Sequence, residues 1–303
     1  MATRRAYRVA YDGRPFYGFQ RQPDVPTVED ALLDALAALD VLGDGKQDGD
    51  GDGDAPAGRA TPPGYAAAGR TDRGVSALRQ TVAFDAPGWL TPGAFDSELP
   101  GDVRVWAAAD VSADFHATHD AARRTYRYHL HAPDADLDRA RAAADRLSGE
   151  HDVHNLTSDP RGPRTRRALS VSVAAGGETV SGDDDAAAPG VADGEFLVLT
   201  VAAGGFPRGF VRRAATLVRG VAVGDAGLDR VDEVLGDDRL TGPRGVAPAA
   251  PEPLVLADVR YPGVDFDPDP GAVASLREVF SERRVDALAR ARVLGELSSA
   301  PER

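Results

Sequence analysis

One order of periodic segments occurs twice along this 303-residue chain. In the first pass Ala6–Tyr11 reads as a strand, and a helix follows from Thr27. Thr27 suits the N-cap, because a hydroxyl accepts from the free amides of a first helical turn. Leu32, Leu36 and Leu39 recur behind it at helical spacing. A short strand near 65–68, a strand over 80–84, a short helix from Thr91-Pro92 and a strand over 103–106 complete the set. The second pass opens with a strand over 126–130. Its helix spans 134–148, with Leu137, Ala140, Ala144 and Leu147 on one face and Gly149 past its end. Strands over 169–174 and 196–201, a helix over 209–223 and a strand over 254–261 follow. The two passes share this order and no obvious sequence.

Each pass reads β-α-β-β-α-β, the split-βαβ or ferredoxin-like unit. The expected class is α+β: two tandem ferredoxin-like halves whose antiparallel sheets adjoin, with a cleft between them. The expected domains are 1–112, 113–262 and a helical extension over 263–303. Acidic insertions interrupt the halves at 43–60 and 176–194. The first contains Asp-x-Asp-x-Asp-Gly, which invites a calcium loop. An EF-hand loop starting at Asp48 needs a glutamate where Arg59 stands, and one starting at Asp50 meets Thr61. Calcium is not expected.

Composition narrows the functional classes. The chain has no cysteine, which excludes disulfides, thiolate metal sites and a cysteine nucleophile. No apolar run is long enough to span a membrane, and the start lacks the apolar core of a secretory signal. A cytoplasmic protein with no membrane partner is expected. Asp and Glu number 48 against 35 Lys and Arg, a net charge of −13, and Lys46 is the only lysine. This balance reads as adaptation to a salt-saturated cytosol, where surface carboxylates hold water. Net acidity then does not exclude a nucleic acid, because at ~1 M salt the Debye length is about 3 Å. Binding would rest on direct guanidinium–phosphate forks.

Three clusters could carry chemistry. In Gly69-Arg70-Thr71-Asp72-Arg73-Gly74-Val75 an acid stands between two arginines, which hold it ionised. By residue type alone the segment is either a tight turn with a surface ion pair or the seat of a nucleophile or base. Arg123-Arg124-Thr125-Tyr126-Arg127-Tyr128 alternates arginine and tyrosine on a strand. Tyr126 and Tyr128 then share a face, as an aromatic platform for a base or as half-buried core. The stretch Phe206–Arg219 places Arg208, Arg212, Thr216 and Arg219 near one helical stripe, with Phe210, Leu217 and Val221 opposite. That stripe is a solvated face or an RNA contact, and Arg212 could turn inward to a carboxylate. Neither His129/His131 nor His151/His154 has further ligands at a recognisable spacing, so no metal is expected. Walker, Gly-x-Gly-x-x-Gly and Gly-x-Ser-x-Gly motifs are absent.

Taken in order, these clusters resemble the tRNA pseudouridine synthase A family. The matching blocks are Tyr11-Asp12-Gly13, Phe16-Tyr17-Gly18-Phe19-Gln20-Arg21-Gln22, Thr27-Val28-Glu29, Gly69–Val75, Leu99-Pro100, Asp114-Phe115-His116-Ala117, Tyr126-Arg127-Tyr128, Gly149-Glu150-His151-Asp152, Phe206 with Val211-Arg212, and Pro251 through Tyr261. They cover 6–261 apart from the insertions. Ser76 stands where the family commonly has histidine, Val153 where it has phenylalanine, and Pro207-Arg208-Gly209-Phe210 is an atypical lead into Val211-Arg212.

The resemblance implies that Asp72 is the essential aspartate, that Arg70 helps extrude the target nucleotide, that Tyr126 stacks on the uracil and that Arg212 is the basic partner of Asp72. It implies a homodimer that grips the anticodon arm of tRNA, needs no cofactor, and isomerises uridines near positions 38–40 after drawing the base from its stack. Gln20, Arg21, Arg73, Arg124 and Arg208 are candidate RNA contacts, as are Arg5 and Arg79. Two other classes compete. A non-catalytic RNA-binding module lacks the expected aromatic run and gives Asp72 no role. A carboxylate glycosidase needs a second placed acid, for which only Asp12 is near in motif.

Overall fold

The computed structural model describes residues 2–42, 60–176 and 195–299. Apart from Ala60 and Gly176, both acidic insertions lie outside the described residues, and so does the rejected calcium loop.

The first half opens on β1 (Ala2–Tyr11), buried along its last six residues. Tyr7 stacks on Phe84 at 5.2 Å and meets Phe95 edge-on at 5.5 Å. Helix α1 (Val28–Ala38) is capped as expected, Thr27 Oγ1 accepting from the Asp30 amide at 3.2 Å. Leu32 and Leu36 are fully buried, whereas Leu39 is the C-cap. Then come β2 (Ala66–Ala67), β3 (Ser76–Pro87), α2 (Pro92–Asp96) and β4 (Val103–Asp110). Proline sits in the first turn of α2, where its missing N–H costs nothing, and Thr91 caps it.

The second half runs β5 (Arg123–His131), α3 (Leu137–Leu147), β6 (Gly149–Asp152), β7 (Arg166–Ala175), β8 (Phe196–Ala203), α4 (Phe210–Ala222), α5 (Asp229–Leu235) and β9 (Leu254–Arg260). Strand β10 (Asp267–Pro268) and α6 (Pro270–Ser298) follow. The expected strands are present but several are longer. Three elements, β6, α5 and β10, were not expected: a four-residue polar strand, a seven-residue helix and a two-residue strand carry too little apolar periodicity to register.

The strands form one ten-stranded sheet in the order β10-β4-β1-β3-β9-β5-β8-β7-β6, with β2 on β3. The order is therefore β4-β1-β3-β2 in the first half and β9-β5-β8-β7 in the second, all antiparallel. The halves join where β3 runs parallel to β9, through Ser76 opposite Val255 and Ala77 opposite Leu256. Each half has its own core, the first around Tyr7, Leu36 and Phe84, the second around Leu147, Leu199 and Phe210. The cores interleave at the join, since Leu256 and Val259 belong to the first and Val75 to the second.

Charge reinforces this short ladder. Arg8 of β1 is 8% exposed and reaches across β3 to Asp258 of β9 at 3.7 Å, while Arg79 lies 3.5 Å from the same carboxylate. The Arg8 guanidinium donates to Thr81 Oγ1 at 3.0 Å and lies 4.0 Å over the Phe266 ring. Helix α6 packs along β4, Arg283 bonding Asp102 and standing 3.9 Å from Asp12.

The segment between β1 and α1 lies against the loop before β3. Gly13 donates its amide to Ser76 Oγ at 3.0 Å, and a Cβ there would stand 2.1 Å from the Val75 carbonyl oxygen. Two backbones touch, so no side chain can yield. Gly13→Ala should lower the unfolding free energy by about 2–4 kcal/mol, while Gly88→Ala, whose added Cβ meets nothing within 4 Å, should shift it by less than about 0.5 kcal/mol. Denaturant titration at fixed KCl measures both, and equal small effects would refute the close approach.

Candidate active site

The loop over 68–75 sits at the join and is braced from three sides. From beneath, Thr71 is buried with its hydroxyl 2.8 Å from Tyr11 Oη, and Gln80 Nε2 donates to the Gly69 carbonyl at 2.8 Å. Tyr11 and Gln80 are themselves buried, so this support is rigid. From the side, the Phe19 amide donates to the Thr71 carbonyl at 3.0 Å. The Val75 amide closes a turn onto the Asp72 carbonyl at 3.1 Å, with Asp72 at its first position and Arg73 and Gly74 at its corner. From the second half, Arg124 donates to the carbonyls of Ala68 at 2.6 Å, Thr118 at 2.8 Å and Gly204 at 2.6 Å.

Asp72 faces α4. Its Oδ2 lies 3.6 Å from Arg212 Nη1, with the carboxylate side chain 50% exposed and the arginine 20%. Arg212 is held in place, its Nε donating to the Ala249 carbonyl at 2.6 Å while its own carbonyl accepts from the Ala249 amide at 3.1 Å. Thus Arg212 does turn inward to a carboxylate. A half-exposed ion pair contributes only about 0–1 kcal/mol to stability. Stability alone gives little reason to hold these two charges together at a cleft.

Tyr126 lies on the border of both cores and packs edge-on to Phe206, centroids 5.4 Å apart. Phe206 in turn stacks on Phe210 at 5.8 Å, so the aromatic series runs from the cleft into the second core. Burial pushes the Tyr126 phenol up to about 12, with the Asp72 charge adding to the shift and Arg124 opposing it. Asp72 therefore acts on the Tyr126 ring at electrostatic range. Tyr128 does not join a platform: it is 4% exposed and donates to the Ala250 carbonyl at 2.8 Å.

The remaining candidates divide by how their guanidinium groups are engaged. Arg70 and Arg73 are exposed beside Asp72, with Arg73 4.1 Å over the Tyr17 ring. Arg208 is exposed at the entry to α4, where its amide donates to Asp159 at 2.9 Å. Gln20 is half-buried in the neighbouring segment. Arg21 pairs with Asp30 at 3.1 Å, Arg5 with Asp110 at 2.7 Å and Arg79 with Asp258 at 3.5 Å. Asp12, the glycosidase candidate, lies by Arg283 of α6 rather than by Asp72's partner Arg212. Sequence reasoning missed the support from Tyr11, Thr71 and Gln80 and the aromatic contact from Phe206. Tyr11 stood in a quoted block, but nothing in the sequence pairs it with Thr71. No cluster of three or more His, Asp or Glu able to hold a metal occurs among the described residues. No helix there is long and apolar enough to cross a membrane.

No protein-family model matches the chain. It is 50% identical to tRNA pseudouridine synthase A of Haloarcula marismortui, over 97% of this chain and 98% of that protein. It is 52% identical to tRNA pseudouridine synthase A of Natronomonas pharaonis, again over 97% and 98%. A solved structure, that of the archaeal box H/ACA sRNP Nop10–Cbf5 complex, aligns over 69% of this chain and 45% of that one at 15% identity, with a TM-score of 0.31, too slight a likeness to carry an argument. With identity this high over nearly the whole chain, the protein belongs to the tRNA pseudouridine synthase A family of isomerases.

Proposed function

We propose that this synthase acts on the anticodon arm of tRNA, isomerising uridines near positions 38–40 through Asp72, once the base has left its stack at a cost of a few kcal/mol. The observation that carries the reading is the Asp72–Arg212 pair at 3.6 Å on a braced loop between the two halves. Isomerisation breaks the bond from uracil N1 to C1′, turns the base and joins C5 to C1′. Asp72 either attacks carbon or removes a sugar proton, and both routes need it ionised beside a fixed cation. Tyr126 takes the face of the uracil. Arg70 fills the gap left in the stack, and Arg73, Gln20 and Arg208 contact the flanking backbone. Arg124 serves the site by fixing its loop, because its donors already bond backbone carbonyls, and Arg21 is turned to Asp30 of α1.

The frame for this chemistry is two tandem ferredoxin-like units, over 1–112 and 113–262, with 263–303 as an extension braced on the first. The strand orders β4-β1-β3-β2 and β9-β5-β8-β7 support that reading. The acidic, lysine-poor composition and the relatives' source organisms support a salt-adapted cytosolic enzyme. The family resemblance supports a homodimer.

Three variants test the site in multimolar KCl, with pseudouridine in an unmodified tRNA transcript mapped by carbodiimide-stop primer extension. Asp72→Asn should abolish the stops near position 39 yet still bind the transcript; stops that persist would remove Asp72 from the chemistry. Arg212→Ala should cut turnover by roughly 10²–10³, as losses of one fixed electrostatic partner do, with far less effect on affinity. Equal losses in both would make Arg212 a binding residue. Tyr126→Phe should keep most activity while Tyr126→Leu loses about 10- to 100-fold, the worth of one base–aromatic stack. Similar rates for the two would deny the stacking role.

A further inference from the structure

Beside α4 a pocket of about 340 Å³ is lined by Arg213, the residue after Arg212. Arg239, His154, Ser158 and Thr241 line it too, and no carboxylate does. The pocket thus sets two arginines and no acid together, in a chain with 48 acidic residues. Neither arginine has a carboxylate within ion-pair distance among the described residues. Burial and the neighbouring Arg212 charge both act against the Arg213 cation, which leaves it in want of an anion.

His154 is the second, independent sign. Its side chain is 1% exposed, and neither ring nitrogen makes a hydrogen bond among the described residues. Nδ1 stands 3.4 Å from Asp152 Oδ1 without bonding geometry, and that carboxylate already accepts from Thr165 at 2.6 Å and Arg161 at 2.7 Å. Buried polar atoms are normally satisfied, so an imidazole left bare at a pocket wall points to something that enters it.

The walls are built rather than incidental. Asn155 accepts from the Leu240 amide at 2.9 Å and donates to the Val234 carbonyl at 3.1 Å, and Arg239 donates to the His154 carbonyl at 3.1 Å. Thr157 ties the pocket to the entry of α4 by donating to the Arg208 carbonyl at 2.9 Å. Gly209, with φ +69°, makes room for the guanidinium, since a Cβ there would stand 2.5 Å from Arg213 Nη1. The atypical lead into α4 thus has a physical use.

We propose that this pocket binds a phosphate group, with guanidinium forks from Arg213 and Arg239 and further hydrogen bonds from Ser158 and Thr241, against the wall that holds the His154 ring. Its volume lies in the range of small-ligand sites and admits a phosphate together with an attached sugar. Two sources have that chemistry: a phosphodiester of bound RNA close to the target nucleotide, or free phosphate. The RNA source rests on the tRNA reading above, and the free source does not.

The test uses the full chain, ¹⁵N-labelled, in multimolar KCl. Inorganic phosphate is titrated against a matched chloride increment while the His154 ring nitrogens are followed by NMR. A saturable shift is expected in the unaltered protein and none in Arg213→Gln/Arg239→Gln. Saturating the Asp72→Asn protein with tRNA should move the same signals and abolish the phosphate response. Arg239→Gln should then bind tRNA about tenfold more weakly, with the slope of log K against log[KCl] shallower by about one. A phosphate response that survives saturating tRNA supports the pocket and assigns it to free phosphate. Still His154 signals with both ligands, together with unchanged tRNA affinity in Arg239→Gln, overturn the proposal. Failure of the tRNA reading would look different: no tRNA binding by Asp72→Asn, with the phosphate response intact.

Discussion

The join between β3 and β9 decides where everything else in the site stands. Its parallel ladder is two residue pairs long, and each backbone hydrogen bond is worth only about 0.5–1.5 kcal/mol net. Such a ladder cannot by itself fix how the two halves of the sheet stand to each other. Arginine does much of the rest. Arg8 crosses β3 to Asp258, and burial brings its guanidinium down only to about 10, so it stays charged near neutral pH. Arg124 bonds three carbonyls from three separate segments, two in the first half or its connection and one in the second. Hydrogen bonds from a charged donor are worth more than neutral ones, about 1.5–3 kcal/mol each. Fixed cations therefore span the join.

That geometry explains why Asp72 can be half-exposed and still well placed. The loop that carries it is bonded below by Tyr11 and Gln80, sideways by Phe19 and across the join by Arg124. Ser76 adds a further tie, its hydroxyl accepting from the Gly13 amide. The Asp72 carboxylate and the flanking Arg70 and Arg73 are left to the solvent. A side chain held this way loses little entropy when a partner arrives, which is the condition for an oriented reaction.

How much of this was legible in the sequence depends on the range of the interaction. Local signals read well. Thr27 caps α1 as expected, a short helix begins at Thr91-Pro92 as expected, and the apolar stripe of Phe210, Leu217 and Val221 is buried. The β-α-β-β-α-β order was readable because strand and helix periods are local properties. What could not be read lies at long range. Nothing in the sequence couples Tyr11 to Thr71 or Ala249 to Arg212, since those bonds exist only after the sheet has formed. The arginines show the same limit from the other side. Arg5, Arg21 and Arg79 look like RNA contacts by charge, yet each has an acid partner within the protein. Tyr128 alternates with Tyr126, and one bonds Ala250 from the core while the other borders the cleft.

An acidic protein that must hold a polyanion faces a simple electrostatic difficulty. With a net charge of −13, its long-range field repels RNA in dilute salt. Concentrated salt shortens that repulsion to about the length of one contact, ~3 Å at 1 M. It weakens long-range attraction equally, so affinity must come from groups that touch. Guanidinium forks suit this, being planar, permanently charged and weakly hydrated, and nearly every cation of this chain is an arginine. The requirement is then local: arginines at the cleft must face phosphate rather than the chain's own abundant carboxylates. In the roles proposed above, Arg70 and Arg73 answer it by exposure, and Arg213 and Arg239 by lining a wall without acids. Binding in such an enzyme depends on where carboxylates are excluded, more than on how many cations the chain carries.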